Sequence, residues 1–264
     1  MTLPAKTLAV VTGATVGIGQ VFAERLARRG HNLLLIARDV ERLNTVAAEI
    51  SRTHGVSARV MPADLAVDDD LERVALALAG EPDLGVMVNN AGFGTKGRIH
   101  DSDLEPQMRM VRLHVLALMR LSQAVLPGMV ARKRGWLINV SSIAGYLYSP
   151  GNANYNATKG YQRQFTQALN TELTGTGVYV QALCPGFTHT DFHRRVGIDK
   201  STIPGFLWSS AESVVDASIR AAERERPLVL VPGFTNKVIM WLARMAPHSV
   251  LRRGRPGAKN EDRV

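Results

Sequence analysis

Two groups of residues in this chain have types and spacing that could do chemistry. Tyr155 and Lys159 stand four apart in the segment Tyr155-Asn156-Ala157-Thr158-Lys159. On a helix they share a face, which puts an ammonium group one turn from a phenol. Far upstream, Thr12-Gly13-Ala14-Thr15-Val16-Gly17-Ile18-Gly19 follows a short apolar run and opens into a helical pattern. Its glycines permit a tight turn and close backbone approach to an anion, and the helix N-terminus adds unpaired N–H groups. That is the chemistry of a pyrophosphate cradle. Taken singly, each group has a bland counterpart. Tyr–Lys pairs at this spacing occur by chance on surfaces, and glycine-rich turns occur for packing alone. The loop reads G-x-x-x-G-x-G, which departs from the G-x-G-x-x-G fingerprint.

The elements that must hold these residues alternate along the chain. Apolar runs at Thr7–Thr12, Leu33–Ala37, Ala58–Pro62, Leu84–Val88, Trp136–Val140, Val178–Leu183 and Leu228–Val231 read as strands. Helical spacing falls between them: Gly17–Arg29, a helix capped by Asp39 and running through Ile50, Asp69–Ala79, Asp103–Ala131, Tyr155–Leu173 and Ala211–Ala222. Continuously apolar strands separated by helices imply a parallel sheet covered on both faces. The fold expected is a doubly wound, Rossmann-type α/β sheet of about seven strands in one domain. That domain spans residues 1–232, with a basic amphipathic extension over 233–264.

Composition narrows the classes. A length of 264 residues with 45% hydrophobic content suits one large domain. The single cysteine, Cys184, makes no internal disulfide, and the start lacks a secretory pattern, so a reducing, cytoplasmic setting is expected. No window reads as the roughly 20 apolar residues of a membrane span. The net charge of +9 raises nucleic-acid binding. The arginines are scattered, however, without interleaved aromatics, so no nucleic-acid partner is expected; nor is a metal.

Further motifs fall in a fixed order: Asn89-Asn90-Ala91-Gly92 after the fourth strand, Asn139-Val140-Ser141-Ser142 after the fifth, and Pro185-Gly186 after the sixth with Thr190 beyond. Together with the glycine loop and the Tyr–Lys pair, these residues resemble the short-chain dehydrogenase/reductase family from Thr7 to Thr190. The resemblance implies that Gly13, Thr15, Gly17, Ile18 and Gly19 hold a pyrophosphate, and that Asp64 and Leu65 lie against adenine. It further implies that Asn90, with Ala91 and Gly92, braces the sheet near the ribose. Pro185, Gly186, Thr188 and Thr190, with backbone near Phe187, would meet the nicotinamide half.

It also implies a reaction. Hydride transfer to a carbonyl leaves an oxyanion, which Tyr155 would protonate. A phenol titrates near pH 10 unperturbed, so Lys159 is expected to lower that value and to reach the ribose hydroxyls. Ser142, chosen over Ser141 by its spacing of thirteen from Tyr155, would hold the substrate oxygen. The family's central helix usually carries an asparagine that kinks the backbone and holds a relay water. His114 stands there instead. It either holds that water and titrates near pH 6.5, or merely packs.

Where an NAD-dependent enzyme presents an acid after the second strand, this chain has Ala37-Arg38, so NADP(H) is expected over NAD(H). Val16 offers no second basic contact. A cover over residues 187–210, with Phe187, Phe192, Ile198, Ile203, Phe206, Leu207 and Trp208, would line a pocket for an apolar carbonyl or alcohol, or simply pack down. His193, Arg194 and Arg195 could meet an anionic carrier group. The tail spaces Val238, Ile239, Trp241, Leu242 and Met245 along a helix, for a membrane surface or, by preference, the body or a sister subunit. Dimers or tetramers are what the resemblance implies. The rival class is a non-catalytic dinucleotide-binding regulator of the same fold.

Overall fold

The computed structural model describes residues 3–4, 6–95, 97–190 and 203–245, the last helix by backbone alone at 239 and 242–245. In chain order the strands are β1 (Leu8–Thr12), β2 (Asn32–Ala37), β3 (Ala58–Pro62), β4 (Leu84–Asn89), β5 (Gly135–Val140), β6 (Val178–Leu183), β7 (Phe187–His189), β8 (Trp208–Ser210) and β9 (Val229–Leu230). The helices are α1 (Gly17–Arg28), α2 (Val40–His54), α3 (Asp68–Ala79), α4 (Leu104–Val111), α5 (Leu118–Ala131), α6 (Ala153–Glu172), α7 (Ala211–Glu223) and α8 (Phe234–Met245). Seven strands form one parallel sheet in the order β3-β2-β1-β4-β5-β6-β9, while β7 and β8 make a separate ribbon.

Alternation along each strand builds two cores. Ala9, Val11, Val86, Val88 and Ile138 face Phe22 and Leu26 of α1 and Val214, Val215 and Ile219 of α7. Leu8, Val10, Met87 and Leu137 face Val74 and Leu78 of α3, and Leu121, Val125 and Met129 of α5. Each fully buried leucine or phenylalanine here is worth about 2 kcal/mol in removal from water. Both faces being covered is why the strands read as unbroken apolar runs. The strand order reverses between β1 and β4, which opens a crevice at their carboxyl ends.

Local signals set several boundaries. Asp39 caps α2, its carboxylate accepting from the Arg42 N–H at 3.0 Å. The helix continues past Ile50 to His54 and stops at Gly55, whose φ of +67° is left-handed. The expected uninterrupted helix over 103–131 is instead α4 and α5 joined by a π-helical turn, Arg112–Ala117. Apolar periodicity runs through that turn, so its extra residue was invisible in the sequence. Residues 104–131 also correct the hydropathy reading, because a window there reaches a mean hydropathy of 1.4, enough in length and composition for a span. Leu121 and Met129 of this segment pack instead against the sheet, and Met110 is fully buried.

Candidate active site

The crevice at the β1/β4 switch point holds a cavity of about 640 Å³ that runs from the glycine turn to Tyr155 and Lys159. At one end Gly13 and Gly17 adopt left-handed φ values of +66° and +58°, which L side chains rarely reach. Thr15, Gly17 and Ile18 line the cavity. Val16 gives α1 no side-chain cap, and its first turn has no acidic residue, so the leading N–H groups suit an anion. Gly19 does not line the cavity. It is buried, and a Cβ there would collide with the Gly13 carbonyl and the Asn90 amide, so close packing requires a glycine at this position. Asn90 donates to the carbonyls of Thr12 at 2.9 Å and Gly13 at 3.2 Å, pinning β4 to the glycine turn. Ala91 and Gly92 continue the wall beside it.

At the other end three polar side chains converge. Ser142 caps a short 3-10 turn (Ile143–Tyr146), its Oγ accepting from the Ala144 N–H at 3.1 Å, and it is hydrogen-bonded to the Tyr155 hydroxyl. Ser141 turns inward and donates to the Lys159 carbonyl at 2.7 Å, which leaves Ser142 as the serine beside Tyr155. Lys159 Nζ donates to the Val140 carbonyl at the end of β5 and to Gln162 Oε1, each at 2.9 Å. Burial dominates both titrating groups. It pushes the Tyr155 phenol up to about 12 despite the opposing Ser142 hydrogen bond, and the Lys159 ammonium down to about 7. The expectation that Lys159 lowers the phenol therefore fails for this state, with Nζ standing 5.9 Å from the centre of the ring.

Of the two readings of His114, the geometry favours packing. Its Nε2 accepts the Phe93 N–H at 3.1 Å, and its Nδ1 meets Thr158 Oγ1 at 3.0 Å. Thr158 donates onward to the Tyr155 carbonyl, so the consistent tautomer carries the proton on Nδ1. With both ring nitrogens engaged, no lone pair is left for a water. Burial first, then the Lys159 charge, holds its pKa well below 6.5. The ring stays neutral through the working range and packs the π turn against α6. His114→Asn should therefore leave the pH–rate limbs in place within about 0.2 unit while costing roughly 1–3 kcal/mol of stability through the unpaired Phe93 N–H. Thermal unfolding and a pH series on the variant check both, and a displaced limb would restore the imidazole to the mechanism.

The adenine end gathers Arg38, Asp64 and Leu65, which the sequence singled out, with Arg42 and Arg109, which it did not. Arg38 and Arg42 both line the cavity, Arg42 Nε donating to the Thr15 carbonyl at 2.9 Å. Arg109 reaches in from α4 and holds Asp64 at 2.5 Å, while Arg38 stands 3.9 Å from the same oxygen. Leu65 lies beside them. Arg42 on the first turn of α2, four residues beyond Arg38, was a usable signal. The approach of Arg109 from a different element was not.

Thr188 and Thr190 line the nicotinamide end with Pro185 and Gly186. The ribbon beyond is held by Trp208, stacked on His189 at 4.9 Å and tilted against Phe187 at 5.6 Å. Phe206 is exposed, so that apolar residue is not core. Phe192, His193, Arg194, Arg195 and Ile198 lie outside the described residues. In α8, Asn236 is buried against Gly186, whereas Phe234, Val238 and Trp241 face outward. The side chains of Ile239, Leu242 and Met245 also lie outside the described residues.

Comparison with known proteins gives a consistent picture. A family model described as short chain dehydrogenase matches residues 7–201. The very-long-chain 3-oxoacyl-CoA reductase of Homo sapiens is 35% identical over 213 residues, covering 78% of this chain and 68% of that protein. A short-chain dehydrogenase from Sphingobium yanoikuyae, solved in complex with NADPH, superposes with a TM-score of 0.83 at 34% identity over 96% of this chain and 98% of that one. A bulky-bulky ketone specific alcohol dehydrogenase from Comamonas testosteroni gives 0.78 at 31% identity, covering 97% of each.

Proposed function

Because this chain belongs to the short-chain dehydrogenase/reductase family and is therefore an oxidoreductase, we propose that it is an NADP(H)-dependent reductase of bulky apolar carbonyls, a ketone or a 3-oxoacyl thioester. One observation carries the reading: the Ser142 and Tyr155 hydroxyls meet beside a buried Lys159 at one end of a cavity whose other end is an uncapped helix N-terminus between left-handed glycines. A volume of about 640 Å³ and an anion-ready glycine turn fit a nicotinamide dinucleotide. When bound, that group supplies the hydride. The chain does the rest. Ser142 donates to the carbonyl oxygen and holds it beside Tyr155. As negative charge develops there, the Tyr155 O–H bond breaks and the proton passes to the substrate oxygen. Lys159 then faces a tyrosinate and stabilises it with its positive charge.

Arg38 and Arg42 support NADP(H), since two guanidinium groups beside Ala37 suit a 2′-phosphate. Phe93 and Leu113 on the cavity wall support an apolar substrate. So do the activities for which the oxoacyl-CoA reductase and bulky-ketone relatives are named. Exposed Leu104, Met108, Leu116 and Met119 on the long helical segment fit burial against a sister subunit.

The test is a panel of bulky ketones, small aldehydes, steroid ketones and 3-oxoacyl thioesters, each run with NADPH and NADH. The expected result is turnover of bulky members with NADPH, at a kcat/KM at least about tenfold above NADH. Tight NADPH binding without turnover of any member would favour the non-catalytic regulator.

A further inference from the structure

Lys159 is held from behind by a side chain with no place among the expected site residues. Gln162 follows it on α6 and is 2% exposed. Its Oε1 accepts from Lys159 Nζ at 2.9 Å, and its Nε2 donates to the His114 carbonyl in the π turn at 3.0 Å. The amide thus lies across the gap between the lysine and the π turn, with both ends fixed. The void beyond it, lined by Asn89, Leu113, Leu121 and Gln162 among others, has a volume of about 10 Å³. That is at the lower bound for one water, so no file of waters continues behind the amide.

We propose that Gln162 is a positioning residue that closes the rear of the proton-transfer site and confines the exchanging proton of Lys159 to the cavity side. An amide accepts at oxygen and donates at nitrogen, and it does not pass a proton along as a water does. Nζ therefore spends two N–H groups on fixed oxygens, Val140 O and Gln162 Oε1, whether the lysine is charged or neutral. The third position, a proton in the ammonium and a lone pair in the amine, faces Tyr155 and the cavity. Proton supply to Tyr155 then runs through the cavity mouth. The titratable groups around Nζ are Tyr155 on the same helix, the neutral ring of His114 from the π turn, and the Cys184 thiol after β6, with Arg163 further along α6 stacked on Tyr146 at 4.3 Å. Among the described residues no carboxylate acts on Lys159, so the Gln162 dipole is the polar contact a single substitution can change.

This rests on the reading of Tyr155 and Lys159 as the proton-transfer pair. The test therefore uses a ketone that the wild-type enzyme reduces with NADPH. Gln162→Glu keeps an acceptor for Nζ, adds a charge and loses the donor to His114. The limb where reduction falls as Lys159 deprotonates should move up by about one pH unit or more, because an opposite charge within hydrogen-bond distance favours the ammonium. Gln162→Met keeps the volume and loses both bonds, so the same limb should move down and kcat should fall about tenfold. KM for the ketone should stay within about twofold. Opposite displacements are the signature, since a merely structural loss would move both limbs alike or neither. NADPH binding by fluorescence checks that each variant folds. If one does not, the sign of the displacement in the other decides. Wild-type turnover with superimposable limbs in the folded variants would overturn this role for Gln162 and leave the reductase reading standing. Absence of wild-type turnover would strike the reductase reading instead.

Discussion

Tyr155→Phe is expected to lower NADPH-dependent carbonyl reduction about a thousandfold while leaving NADPH affinity within about threefold. The substitution removes one oxygen and keeps the ring, which packs edge-on against His114 with centroids 6.0 Å apart. Ser142 keeps the Ala144 N–H as a partner, so the lost hydroxyl leaves no orphaned group and little stability should change. What disappears is the proton that Tyr155 would transfer to the developing oxyanion, while Ser142 can still donate a hydrogen bond to it. Ser142→Ala should cost less, about a hundredfold, because it removes a holding contact and leaves the donor in place. The pH dependence of the wild type follows from the two shifted groups. With its phenol at about 12, Tyr155 remains protonated through the working range and gives no limb there. Lys159, at about 7, sets one: as pH rises through that value the stabilising charge is lost and reduction slows. Steady-state oxidation of NADPH across pH 5.5 to about 9 measures both. More than a tenth of wild-type rate in the phenylalanine variant would remove Tyr155 from proton transfer.

How much of this site was legible in the sequence depends on how far each side chain reaches for its partners. Strands buried on both faces announce themselves as apolar runs, and Asp39, Gly13 and Gly17 act through their own backbone neighbourhood. Tyr155 and Lys159 share one helix, so their relation follows from spacing alone. His114 could not be read that way. Its ring is silenced by the Phe93 N–H and Thr158, twenty-one residues before it and forty-four after it in the chain. The Gln162 amide was equally hidden, because a glutamine on an amphipathic helix looks solvated until the π turn is seen above it. Burial was the other missing quantity. The opposite pulls on Tyr155 and Lys159 come from the removal of water, which no residue spacing encodes.

Replacing Arg38 and Arg42 together with alanine should weaken NADPH about a hundredfold and move NADH by no more than about threefold. A hydrogen bond to a charged group is worth about 1.5–3 kcal/mol, so two would approach 5. Both arginines lie at the cavity rim, however, and Arg38 has 68% of its side chain exposed. Screening at such a site takes a large share, leaving about 2.7 kcal/mol, or a hundredfold at 1.36 kcal/mol per tenfold. The same exposure predicts that the NADPH advantage shrinks as ionic strength rises, whereas NADH binding barely responds. Asp64 is the local competitor for Arg38, with its carboxylate 3.9 Å away. Arg109 holds that carboxylate at 2.5 Å and so leaves Arg38 only the long, 3.9 Å contact with it. Arg109→Ala, which touches neither rim arginine, should therefore weaken NADPH several-fold by returning Arg38 to Asp64. Titration of both cofactors at low and high salt, on wild type and both variants, measures the set. Equal losses for NADPH and NADH in the double variant would show that the arginines shape the pocket rather than read the phosphate.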